Sequence, residues 1–101
     1  MQQIKTSEEL KQLVNKNEIV IVDFYTSWCA PCKVITPFIE KLASEYLDIT
    51  VVKCDCENSG DVLDAFGIKS IPTFIKFVNG KRESTVIGCD KTKIVELFNG
   101  L

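Results

Sequence analysis

Residues 18–33 read EIVIVDFYTSWCAPCK, and two different periodicities meet inside them. Ile19 to Tyr25 is an almost unbroken β-branched and aromatic run, the pattern of a strand covered on both faces, as central strands of a parallel sheet are. From Lys33 onward Ile35, Phe38, Ile39, Leu42, Ala43 and Tyr46 recur at helical spacing, which predicts a long helix with one buried stripe. Pro37 lies within that helix. It lacks the amide hydrogen and crowds the carbonyl of Lys33, so a kink is expected rather than a break, because the periodicity continues through it. Cys29 and Cys32 therefore sit where a strand has ended and a helix begins.

Outward from this junction the chain alternates. Toward the N-terminus, Thr6 and Glu9 form a capping-box pattern ahead of Leu10, Leu13 and Val14, a first amphipathic helix. Toward the C-terminus, DITVVKCD (48–55) predicts a second strand, parallel to the first through a right-handed crossover. SGDVLDAFG (59–67) predicts a short helix closed by Gly67 as a left-handed cap. PTFIKFVNGKRESTVIG (72–88) holds two alternating segments around Asn79-Gly80, a hairpin signal, and Asp90 is placed to cap a last helix carrying Ile94, Val95, Leu97 and Phe98. A parallel beginning and an antiparallel end predict one α/β domain over residues 1–101, a mixed sheet with helices on both faces. Sites in such sheets form at the carboxyl ends of the strands, where the cysteine pair falls.

Composition narrows the chemistry. The chain has 101 residues, 46% hydrophobic and 26% charged, an ordinary globular balance. Twelve basic against fourteen acidic side chains leave a net charge of −2 with no basic stripe, which argues against nucleic acid and anionic membrane surfaces as partners. No apolar run reaches the length of a signal peptide core or a membrane span, so the expected location is cytoplasmic. Five cysteines cannot all pair internally, and zero histidines remove Cys/His nucleophile pairs and every His-ligated metal site. Whatever chemistry the chain carries must run on Cys, Asp, Glu, Lys or the backbone.

At the start of a helix, unpaired amides and the helix dipole favour negative charge and lower a thiol pKa, which makes Cys29 the better nucleophile. Cys32 lies one turn on, within reach of a mixed disulfide formed at Cys29. Pro31 suits the opening turn. Trp28, with Ala30 and Pro31, forms an apolar collar suited to holding a polypeptide against the sulfur. Asp23, a carboxylate inside IVIVDFY, is expected to be desolvated, with its pKa raised toward general-base values. Lys53, on the neighbouring strand, reads either as a charge that tunes Asp23 or as a lysine snorkelling to the surface.

DFYTSWCAPCK (23–33), SIPTF (70–74) and NGK (79–81) together resemble the thioredoxin family over essentially the whole chain. The resemblance implies the thioredoxin fold, a three-layer α/β/α arrangement with five strands and four helices. It implies a general protein-disulfide reductase with Cys29 attacking, Cys32 resolving and Asp23 exchanging the proton of Cys32. No bound cofactor is implied: the redox group is the Cys29–Cys32 disulfide, refilled from NADPH through a thioredoxin reductase, with ferredoxin as the alternative electron source. Clients are disulfide-containing proteins. X–Pro bonds are mostly trans, but the family's proline in IPT is cis, which places Ile71, Pro72 and Gly88 in a groove that pairs with extended substrate. Tyr25 stands where many members carry a second tryptophan, and Glu57 where an aspartate accepts the indole N–H. Ala30 replaces the usual glycine, a change the turn tolerates.

Three cysteines lie outside the motif. Cys54 and Cys56 read as small buried hydrophobes rather than as half of a zinc site, since the glycine knuckles of such sites are missing, and no metal is expected. Cys89 follows Gly88 near the groove and is the candidate regulatory thiol, open to mixed disulfides and to a disulfide-linked dimer of an otherwise monomeric protein. Rival readings are an oxidant or isomerase of the same fold and a binding module. Ala-Pro between the cysteines matches neither the Gly-His of protein disulfide isomerases nor the Pro-Tyr of glutaredoxins, and a full set of Cys29, Cys32, Asp23 and Pro72 gives a binding-only role no support.

Overall fold

The computed structural model describes residues 1–58 and 60–100; Ser59, within the stretch read as the short third helix, and Leu101, the last residue of the expected domain, lie outside the described residues. The elements run β1 (Gln2–Ile4), α1 (Ser7–Lys16), β2 (Ile19–Tyr25), α2 (Ala30–Glu45), β3 (Thr50–Asp55), α3 (Val62–Phe66), β4 (Thr73–Val78), β5 (Lys81–Ile87) and α4 (Lys91–Asn99). The five strands form one sheet in the order β1-β3-β2-β4-β5. β1, β3 and β2 are mutually parallel, and β4 and β5 are antiparallel to their neighbours, so the expected mixed α/β sheet is found.

Alternation along the strands divides the core in two. Val20, Val22 and Phe24 of β2 pack with Leu10 and Val14 of α1 and Val62 of α3. Ile21, between them on the opposite face, packs with Ile35, Ile39 and Leu42 of α2 and with Ile94, Leu97 and Phe98 of α4. A central strand covered on both faces needs apolar side chains at every position, and β2 has them at all but one of its buried sites. That exception is Asp23, on the face of Ile21.

Local signals hold the helices in place. The Thr6 side chain accepts from the Glu9 amide at the start of α1, and Asp90 accepts from the Lys93 amide at the start of α4. α2 runs unbroken through Pro37, and Gly67 ends α3 with φ of 64°, the left-handed conformation that glycine adopts without a Cβ penalty. The hairpin turns at Asn79 and Gly80, both at positive φ, as a two-residue connection requires. β1 is three residues long and pairs with β3 in register Gln2↔Val52, Gln3↔Lys53 and Ile4↔Cys54. Among the described residues no helix is long and apolar enough to cross a membrane.

Candidate active site

The carboxyl end of β2 delivers the site. Tyr25 is the last residue of the strand, the Cys29 amide donates to the Thr26 carbonyl at 3.4 Å, and Cys29 then serves as the N-cap of α2. Helix N-termini leave amides without intrahelical partners, and here the side chain of the cap supplies one: the Cys32 amide donates to Cys29 Sγ at 3.2 Å. Cys29 and Cys32 are disulfide-bonded, with their Cα atoms 5.3 Å apart, inside the ordinary range for a cystine. An amide aimed at one sulfur and not the other makes the pair asymmetric: both cysteines are buried, at 5% and 2% exposed, but a negative charge at Cys29 would be stabilised by the helix end, whereas Cys32 lies within the first turn.

Asp23 lies on the α2-facing side of β2 with Ile21; it is 2% exposed, and its Oδ1 has no hydrogen-bond partner among the described residues. Burial of the carboxyl disfavours its charged form and pushes its pKa from 3.8 up to about 7, with the Lys53 ammonium acting in the opposite direction. The parallel ladder sets that relationship, because Asp23 and Lys53 are register partners on β2 and β3. Lys53 is held in turn by an aromatic face, its Nζ standing 5.7 Å from the centroid of the Tyr25 ring. A tyrosine in place of an indole therefore still gives the lysine a π-surface.

In the loop before β4, the Ile71–Pro72 peptide bond is cis, as the family resemblance implied. The Gly88 amide donates to the Pro72 carbonyl at 2.9 Å, which brings the loop after β5 against the loop before β4. Among the described residues neither backbone group of Ile71 is used in a turn or cap hydrogen bond. Trp28 is 70% exposed, beside exposed Ala30 and Pro31. Among the described residues its indole N–H forms no hydrogen bond; Glu57 lies exposed, and its amide donates to Asp55. The contact that an aspartate makes to this indole in the family is thus not made by Glu57 among the described residues.

Of the other cysteines, Cys54 and Cys56 are buried thiols in the core between the sheet, α1 and α3. Burial, helped by the neighbouring Cys54 and Asp55 and by Asp23, pushes the Cys56 thiol up to about 12, which leaves it inert as a nucleophile. Cys89 is exposed and its Sγ donates to the Pro31 carbonyl at 3.5 Å. Desolvation first, and the Asp23 charge second, raise its pKa. Sequence reasoning did not find the contact between Cys89 and Pro31, nor the cleft that Val34 and Lys91 line beside it. One signal was available: Val34 is an apolar residue off the buried stripe of α2, and it is 77% exposed.

A family model described as Thioredoxin matches residues 2–99. The chain is 38% identical over 98 residues to the thioredoxin of Mycoplasma genitalium, covering 96% of each, and 37% identical over 92 residues to thioredoxin-1 of Saccharomyces cerevisiae, covering 91% of this chain and 89% of the yeast protein. Among solved structures it superposes on Plasmodium falciparum thioredoxin with a TM-score of 0.94 at 31% identity, over 99% of this chain and 98% of the other.

Proposed function

The chain belongs to the thioredoxin family and is a thiol–disulfide oxidoreductase that reduces protein disulfides; on that premise we propose how its residues divide the work. Cys29, as thiolate, attacks one sulfur of a client disulfide, and the other client sulfur leaves as a thiolate. The Cys32 thiol gives its proton to the Asp23 carboxylate. The Cys32 thiolate then attacks Cys29 Sγ, expelling the second client thiolate and closing the Cys29–Cys32 disulfide. Two electrons have passed to the client. Holding both thiols on one helical turn makes the second displacement intramolecular, so the mixed disulfide is short-lived.

Trp28, Ala30, Pro31, Ile71, Pro72 and Gly88 form the client groove, where the free backbone of Ile71 pairs with an extended segment. Lys53 sets the proton affinity of Asp23, and Glu57 contributes surface at the groove's edge. Electrons come from NADPH through a thioredoxin reductase. The protein acts as a single domain over residues 1–101, as a cytoplasmic monomer, with no metal and no nucleic-acid or membrane partner. The observation that carries this reading is the disulfide at a helix N-terminus, with the Cys32 amide on Cys29 Sγ and, on the adjoining strand, a buried carboxyl whose Oδ1 has no partner among the described residues.

Insulin reduction coupled to NADPH oxidation tests it. With a thioredoxin reductase present, catalytic amounts of the protein should drive NADPH consumption and insulin precipitation together. Insulin precipitation supported by dithiothreitol but never by NADPH and the reductase would remove the proposed electron source.

Cys89 is the regulatory thiol in this reading, taking a glutathione or a second copy of the chain in mixed disulfide linkage. A variant with Ser at positions 29 and 32, treated with oxidised glutathione, should gain the mass of one glutathionyl group at Cys89. Its raised pKa makes the exchange slow and the product durable, since a basic thiol is a poor leaving group. No added mass after prolonged treatment at pH 8.5 would end the assignment.

A further inference from the structure

A second apolar cleft adjoins the redox pair. Its volume is about 390 Å³ and it is lined by Ala30, Pro31, Val34, Ile35, Cys89 and Lys91, sharing only Ala30 and Pro31 with the client groove. A cleft of that size is at the lower end of the range for binding pockets. Its floor is the first two turns of α2, and its other wall is the loop leaving β5, tied to the motif by the bond from Cys89 Sγ to the Pro31 carbonyl. Ala30 and Pro31 separate the two redox cysteines, so a polypeptide whose disulfide meets Cys29 passes the mouth of this cleft.

The lining states what it would take. The α2 side chains are hydrocarbon, and Val34 leaves its isopropyl group in water next to Ala30 and Pro31 of the motif. Lys91 brings a positive charge to the same wall. Its Nζ stands 5.2 Å from the centroid of the Phe38 ring, and among the described residues no carboxylate pairs with it. We propose that this cleft is a second client subsite, which takes an aliphatic side chain from the oxidised polypeptide being reduced and pairs Lys91 with an acidic residue next to it. The proposal rests on the disulfide-reductase reading above.

Two peptides closed by a disulfide, identical except for Leu-Glu or Ser-Gln beside one half-cystine, provide the probe. One pair carries the variable residues on the N-terminal side and a second pair on the C-terminal side. An aliphatic side chain entering an apolar pocket discriminates by about 10-fold or more, so one pair should show a kcat/KM ratio of about ten in favour of Leu-Glu. In the oxidised protein the motif cysteines are bonded to each other and Cys54 and Cys56 are buried, so N-ethylmaleimide adds at Cys89 and fills the cleft without any substitution. The ratio should then fall to about one. Lys91→Glu should make a Leu-Lys peptide the better substrate than Leu-Glu. Equal kcat/KM within both pairs, or a preference that survives the Cys89 adduct, overturns the subsite. Failure to reduce any of the peptides overturns the reductase reading on which it stands.

Discussion

Cys29→Ser should abolish insulin reduction, lowering kcat/KM by on the order of 1,000-fold or more, while Cys32→Ser should bind its client covalently and stop there. The two sulfurs share one disulfide, yet the helix treats them differently. Cys29 caps α2 and receives the Cys32 amide, so a thiolate at position 29 is stabilised before any client arrives. A serine alkoxide cannot be reached at neutral pH by the same means, and the thiol that remains in the motif, Cys32, is buried within the first turn rather than at the cap. Cys32, inside the first turn, is needed only after a mixed disulfide exists. Its loss leaves the first displacement intact and removes the second, so an equimolar covalent adduct between the variant and its client should accumulate. Gel mobility without reductant, mass spectrometry and release by dithiothreitol all read that adduct. Wild-type rates in either variant, or adducts that form through position 32 in Cys29→Ser, would invert the assignment of attacking and resolving sulfurs.

How much of this was legible from residues alone varies with the distance between the parts. The strand-to-helix junction at 18–33 was legible because a change of period is a local signal, and the thiol pair sits within it. Asp23 stood out for the same reason: a carboxylate flanked by Val22 and Phe24 in a run of β-branched side chains has nowhere polar to go, and it is indeed 2% exposed. Three-residue β1 is too short to carry a period, so its existence came only with the family resemblance and its place beside β3 only with the structure. The cis Ile71–Pro72 bond also came that way, since no side chain near it distinguishes it from the trans form. The second cleft was not legible at all. It joins the first turns of α2 to a loop more than fifty residues later, through a hydrogen bond from Cys89 to a backbone carbonyl that no sequence pattern encodes. Glu57 shows the opposite failure: matched by position to a family role, it forms no hydrogen bond to the Trp28 indole among the described residues, and only its amide is engaged, on Asp55.

Asp23→Asn should make the protein more stable and less active, and the pH at which each effect appears follows from one proton. In the unfolded chain an aspartate titrates near 3.8; in the folded protein burial raises Asp23 to about 7, against the opposing charge of Lys53. Between those values the native state holds a proton that the unfolded state has lost, so stability falls as pH rises through the window. At about 1.4 kcal/mol per pH unit the full penalty is about 4 kcal/mol, absent below pH 3.8 and complete above pH 7. Asparagine has the shape without the titration. Urea unfolding of the oxidised forms should therefore show the variant ahead of wild type by about 4 kcal/mol at pH 8, and level with it near pH 3.5. A gap of the same size at both pH values would mean that packing, not ionisation, separates the two. The cost of the charge is what makes it useful, because a carboxylate held near neutrality with Oδ1 unpartnered is a strong acceptor for a nearby thiol proton. Without it, release of client from the mixed disulfide at pH 7 should slow by about a hundredfold, and the deficit should shrink as pH approaches the thiol's own pKa and water can remove the proton. Single-turnover release that is equally fast in Asp23→Asn and wild type at pH 7 would take the proton transfer away from Asp23, while leaving the stability difference to stand on burial alone.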